Sequence, residues 1–224
     1  MAEITAAQVK ELRELTGAGM MDCKRALVEN DGDIERAKDW LRAKGMARAA
    51  DKAGRAANEG VVEAYVHSGG VSGRKLGVLI EVNCESDFVA KTDDFRQLAK
   101  ELALQVAGRM PLFVRREDVP PVVVERERAV ILAQVADKPD NIKDKIIEGK
   151  LNAYFSEICL LEQPYIRDEK SKKKVSELIS EAVDKLKENI TVARFARFQV
   201  GESATVTGDR SSSEEDGAAP PSPH

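Results

Sequence analysis

The chain has 224 residues, of which 33% are charged and only 4% aromatic, and its net charge is −4. That length fills one medium core plus a small accessory module, and the absence of a basic excess argues against a general nucleic-acid binder. No apolar run is long enough to cross a bilayer and the opening residues lack a charged-then-apolar leader pattern, so the expected location is cytoplasmic, or an organelle interior after processing.

Residues 1–52 read as three short helices. The first opens at Thr5 with Gln8 three positions on, a capping box, and Ile4 and Val9 occupy the staple positions that flank it. It is expected to stop at Gly17-Ala18-Gly19. The second carries Met21, Leu27 and Val28 and ends near Asn30-Asp31-Gly32. The third, capped by Asp33, places Ile34, Ala37, Trp40 and Leu41 on one face and is expected to end at Gly45. Three helices of this size suggest a bundle similar to ubiquitin-associated domains. Arg48 to Asn58, rich in alanine and basic residues, reads as a linker with partial helical character, giving 53–60 as the boundary segment that lets the bundle move.

The core, 61–202, begins with a strand from Val61 to His67. A connection with three glycines, Ser68 to Gly73, fits a hairpin loop. The next strand alternates Leu76, Val78, Ile80 and Val82 with Gly77, Leu79, Glu81 and Asn83, so one face is packed. After Asn83 the alternation stops, and Cys84-Glu85-Ser86-Asp87-Phe88-Val89 sets an acid beside an aromatic ring. Thr92 or Asp93 then caps a helix whose buried stripe is Phe95, Leu98, Ala99, Leu102 and Val106. From pattern alone, Phe88 and Val89 fold back under that helix with Asp87 as a turn former, or the ring projects as a wedge.

Leu112-Phe113-Val114 reads as strand or loop. Helical patterns follow over Val122 to Val135 and Asn141 to Phe155, separated by Lys138-Pro139, and over Val175 to Glu188. The basic run Lys170 to Lys174 precedes Val175, Leu178, Ile179, Val183 and Leu186 at helical spacing, and reads as the solvated start of an amphipathic helix. A last strand spans Thr191 to Val200. Strands and helices are segregated, which predicts an α+β fold with an antiparallel sheet covered on one face by helices. Residues 203–224, rich in Ser, Gly, Pro, Glu and Asp, are expected to be a disordered tail.

Catalytic and ligand sites are hard to build from these residues. His67 is the only histidine before the tail, and Cys84, Ser86 and Asp87 lack a positioned base and an oxyanion site. Gly17-Ala18-Gly19 lacks the strand and the Lys-Ser pair of a phosphate cradle, and Asp87, Asp93 and Asp94 lack the alternation of a calcium loop. Cys23, Cys84 and Cys159, odd in number and far apart, point to a reducing compartment and form no zinc spacing. Neither cofactor nor metal is expected.

Three stretches carry a family resemblance. Ile4 to Leu27, Glu81 to Lys91 and Phe195 to Glu202 resemble, in the right order, the N-terminal domain, the Thr-Asp-Phe-Val turn and the closing strand of the elongation factor Ts family, with Ser86 where threonine is usual. The resemblance runs from about Ala2 to Glu202. It implies a guanine-nucleotide exchange factor for the GTPase elongation factor Tu, with no catalytic chemistry of its own. Asp87 and Phe88, flanked by Ser86 and Val89, are then the turn that displaces magnesium and GDP, and Met20 and Arg13 touch the GTPase from the bundle. Met20 and Met21, being adjacent, point in different directions, so one of them is expected to be accessible. The chain has one core unit and no extended coiled-coil insertion where longer members have two units, which implies a homodimer. Neither membrane nor direct nucleic-acid contact is implied. Two other readings stay open: an adaptor whose bundle binds a peptide or ubiquitin-like surface, and a ribosome or tRNA binder acting through Lys170 to Lys174.

Overall fold

The computed structural model describes residues 4–68, 74–136, 139–168 and 173–202. The glycine-rich hairpin connection, Lys170 to Lys172 of the basic run and the expected tail lie outside the described residues. Three helices, α1 (Ala6–Thr16), α2 (Met20–Glu29) and α3 (Ile34–Lys52), open the chain. The Thr5 hydroxyl accepts from the Gln8 amide while the Gln8 side chain accepts from the Thr5 amide, so the capping box is formed, and Gly17 closes α1 at φ 67°. Leu12, Cys23, Ala26, Leu27 and Ala37 are fully buried between the three helices.

Helix α3 does not end at Gly45. A single glycine costs a helix only about 1 kcal/mol, and the Ala, Arg and Lys residues that follow are good helix formers. Ala49, a turn beyond the glycine, packs against the main core, and Gly45 itself is buried beside Asp184. The expected linker therefore starts as helix through Lys52.

Strands β1 (Glu59–Ser68), β2 (Arg74–Cys84) and β3 (Thr191–Gln199) form an antiparallel sheet in the order β1-β2-β3. Tyr65, Val78 and Arg197 lie opposite one another, as do Glu63, Ile80 and Phe195, which fixes the face that is covered. On that face Val78, Ile80, Val82 and Cys84 are buried under α5 (Asp93–Arg109), and α8 (Val175–Leu186) packs beside α5 in the same core. Every residue of the expected α5 stripe is buried, and Thr92, not Asp93, is its cap. The architecture is α+β, as the segregation of elements predicts.

Gly60 shows why one position in β1 takes no side chain. Its φ is 154°, and a Cβ there would lie 2.2 Å from the Val82 carbonyl oxygen. Gly60→Ala is expected to lower unfolding free energy by about 2 kcal/mol, read as a reduced urea midpoint at unchanged slope.

Between α5 and α8 the chain makes α6 (Pro121–Gln134) and α7 (Asp140–Ile158), which pack on each other through Ile131, Val135 and Ile147. Leu112-Phe113-Val114 settles as a single parallel bridge from Phe113 to Cys159. The return to α8 is clamped by buried amides. Gln105 donates to Gln163 Oε1 (3.0 Å) and accepts from the Ile166 amide (2.8 Å), while Gln163 donates to the Glu157 carbonyl (2.7 Å). The Gln105 and Gln163 side chains are buried and their amides partnered, as a stable interior requires.

Candidate functional site

The turn after β2 is a one-turn helix, α4 (Asp87–Ala90). Ser86 is its N-cap, its hydroxyl accepting from the Val89 amide at 3.3 Å. Successive helical residues point about 100° apart, so burying Val89 (6% exposed) and Ala90 necessarily turns Phe88 outward, where it is 77% exposed. The reading that folds both Phe88 and Val89 into the core therefore holds for Val89 alone. Thr92 completes the turn by donating to the Val89 carbonyl (2.7 Å) and accepting from the Phe95 amide (3.3 Å).

Asp87, at the first helical position, accepts from Lys91 Nζ at 2.6 Å. That hydrogen bond, with the lysine charge, holds its carboxyl below the usual aspartate value. Both partners are about two-thirds exposed, so the pair is easily exchanged for another cation or donor.

The turn is held from the far end of the core by a residue that sequence reading missed. Glu188, just past α8, accepts from the backbone amides of Glu85 and Ser86, both at 3.0 Å, and from the Ser86 hydroxyl at 2.5 Å. Reciprocally, Glu85 accepts from the Asn189 amide at 2.6 Å. Ser86 thus has two tasks, capping α4 and tying it to α8.

The bundle residues lie on other elements. Arg13 is exposed on α1, and Met20 begins α2 after the Gly17-Ala18-Gly19 turn. The adjacency of Met20 and Met21 predicts one of them at the surface; both are there, Met20 at 53% and Met21 at 71% exposure, joined by Leu15 at 57%. The reason is that α2 engages the bundle from Cys23 onward, so its first turn stands clear on both sides. Ser86, Asp87, Phe88 and Val89 come together on the turn; Met20 and Arg13 form a separate surface.

Arg48 joins the bundle to the core, donating to Asp22 of α2 (2.9 Å) and Asp184 of α8 (3.0 Å). The Arg48 hydrogen bond holds the Asp22 carboxyl low against the opposing effect of burial. At Asp184 burial pushes the other way, and the hydrogen bonds from Arg48 and Lys187 outweigh it. A carboxyl depressed in the folded chain adds stability that is complete above its unfolded value of 3.8 and is lost as pH falls through the folded value. The urea midpoint of Arg48→Ala is thus expected below that of the parent at pH 7, and the gap should close as pH drops below about 4.

Hydrolytic chemistry finds no support in this geometry. Burial pushes the Cys84 thiol up. Cys84 pairs with Glu59 at one end of the hairpin and His67 with Leu76 at the other, and the His67 ring meets the Tyr65 hydroxyl on its own strand at 2.9 Å. Among the described residues no group of three His, Cys, Asp or Glu side chains is placed to hold a metal, and no helix is long and apolar enough to span a membrane. An exposed aromatic and acid on a pinned turn, with a second apolar surface on the bundle, are features of a factor that works by contact with another macromolecule.

Comparison with known proteins gives that class a family. The family described as Elongation factor TS matches residues 46–202. Elongation factor Ts of Syntrophomonas wolfei is 56% identical over 201 residues, covering 89% of this chain and 91% of that protein. The factor of Thermoanaerobacter sp. is 55% identical with 96% of its length covered, and that of Thermotoga petrophila 54% identical with 98% covered. The chain belongs to the elongation factor Ts family, a family of translation elongation factors.

Proposed function

We propose that this chain is a guanine-nucleotide exchange factor for elongation factor Tu, acting in the cytoplasm without catalytic chemistry of its own. The observation that carries the reading is Phe88, a large apolar ring left 77% exposed on a turn whose every other anchor is satisfied. A ring in water is a latent contact; placed between two helices of the GTPase it contributes binding energy only in the complex.

Exchange then follows from linkage. Whatever free energy the factor gains by favouring a distorted, nucleotide-poor GTPase is lost to GDP by the same amount. Phe88 supplies the wedge, and Asp87, released from Lys91, engages beside it and displaces a helix near the magnesium site. Without its cation, phosphate oxygens face protein oxygens uncompensated and GDP leaves. The factor stays bound until GTP returns. Val89 fixes the ring direction from inside, and Met20 and Arg13 add a second contact from the bundle. No membrane or direct nucleic-acid contact enters this mechanism.

Adding the chain to elongation factor Tu loaded with fluorescent GDP should accelerate release in proportion to factor concentration until saturation. Release at the spontaneous rate would refute the reading. An adaptor acting through the bundle would instead retain its full affinity in residues 1–52 alone.

The chain also functions, in this reading, as a homodimer formed through the outer sheet face. Val62, Val66, Leu79 and Phe198 are all exposed there, with Ala64, Ala196 and Gly77 between them. Light scattering at micromolar concentration should give twice the chain mass.

A further inference from the structure

Three segments far apart in sequence meet where α8 ends. Asp184 receives Arg48, which also holds Asp22 two residues beyond Met20. One turn later Lys187 adopts φ 63°, a left-handed conformation that a non-glycine residue keeps only where its surroundings hold it. That reversal delivers Glu188 to the amides of Glu85 and Ser86. Asn189, 4% exposed, follows: its amide donates to Glu85, and its side chain donates to the Arg55 carbonyl at 2.7 Å, just past α3. Arg55 in turn lies 3.6 Å from Glu85.

Burying the turn does not require these bonds, because Val89 and Ala90 already anchor α4 in the core. What the bonds add is direction. They set the turn against α8, and they set the bundle against the same helix. We infer that the exit of α8, Asp184 to Asn189, is a positioning junction: Glu188 aims the Phe88 turn and Arg48 holds the Met20 end of the bundle in fixed relation to it, so that the GTPase is gripped at two places by one preorganised body. The inference rests on the exchange-factor reading for its function and on the geometry above for its existence. Two contacts reinforce each other only when the link between them spans the right distance, and a fixed link avoids the ordering cost of a loose one.

The test uses the full chain with Glu188→Ala, Glu188→Gln and Arg48→Ala. Hydrogen exchange addresses the junction without the GTPase. In Glu188→Ala, amides 85–89 should lose protection about tenfold or more while α5 and the buried part of β2 keep theirs. Unchanged protection would overturn the junction.

GDP release over a range of factor concentrations addresses its use. Glu188→Ala should lower the maximal release rate about tenfold with the half-saturating concentration nearly kept, and Glu188→Gln, which retains one acceptor oxygen, should fall between it and the parent. Arg48→Ala should raise the half-saturating concentration severalfold with a smaller effect on the maximal rate. A residue that only stabilised the fold would change neither parameter at a temperature where circular dichroism shows the variants folded, and that outcome would overturn the inference. Adding Glu188→Ala to Phe88→Ala should slow release no further, since one acts through the other; additive slowing would refute that route. If the parent chain leaves release at the spontaneous rate, the exchange reading fails, and the hydrogen-exchange result still decides whether the junction holds the turn.

Discussion

Phe88→Ala is expected to slow catalysed GDP release from elongation factor Tu roughly thirtyfold while leaving the factor as stable as before. The two halves of that expectation come from the same number. With 77% of the residue exposed, the free chain has little packing to lose, and its unfolding free energy should move by less than about 0.5 kcal/mol. In the complex the ring goes from water to an apolar site, which contributes about 2 kcal/mol, close to a factor of thirty. Because factor and GDP compete for one deformable GTPase, that loss appears directly in how far GDP is weakened. Stopped-flow release of labelled GDP, with circular dichroism and a urea titration alongside, gives both halves. An unaltered release rate with native dichroism would remove Phe88 from the mechanism. A chain destabilised by several kcal/mol would show instead that the ring packs inward in solution. Asp87→Ala should slow release less, since its pairing with Lys91 is exposed and screened on both sides.

Much of this scaffold is legible in short-range pattern because its physics is short-range. Thr5 and Gln8 cap α1 from three residues apart, and Phe95, Leu98, Leu102 and Val106 announce α5 by their spacing. The period of β2 likewise gives its buried face before the register is known. What pattern misses is the partner at long range. Nothing local marks Glu188 as the acceptor for Ser86, 102 residues earlier, or Arg48 as the partner of Asp184, 136 residues on. The continuation of α3 through Gly45 belongs to the same class, since it follows from α3 packing on α8 and on the main core. Phe88 and Val89 illustrate the opposite limit. Both are apolar and adjacent to a strand end, and only the register of a one-turn helix, set by the Ser86 cap, decides that one goes in and the other out. The pattern marks the turn where the alternation of β2 stops, and the family resemblance gives it a role; what holds it in place is Glu188, too distant for any local stretch to show.

Phe198→Glu is expected to convert the proposed dimer into a folded monomer. The outer sheet face has the composition of a surface meant to be covered: Phe198, 69% exposed, lies opposite Gly77, where no side chain competes with it, and Val66 faces the same glycine from β1. Around them Val66, Gly77, Phe198 and Val200 help to line a hollow of about 310 Å³, and the Glu81–Arg194 ion pair (2.7 Å) closes one end of the face with charge. A twofold axis brings the same patch from each copy together, so one substitution acts twice. Losing two buried rings at about 2 kcal/mol each weakens association by about 4 kcal/mol, roughly a thousandfold, before the cost of burying two carboxylates is counted. At micromolar concentration that shift takes a dimer with a nanomolar dissociation constant to the edge of dissociation, and the added charge carries it past. Light scattering should then report a single chain mass for Phe198→Glu and a doubled one for Phe88→Ala, whose ring lies on α4 and not on the sheet. A Phe198→Glu chain that stays dimeric would move the contact off this face, and a parent chain that is monomeric would remove it altogether.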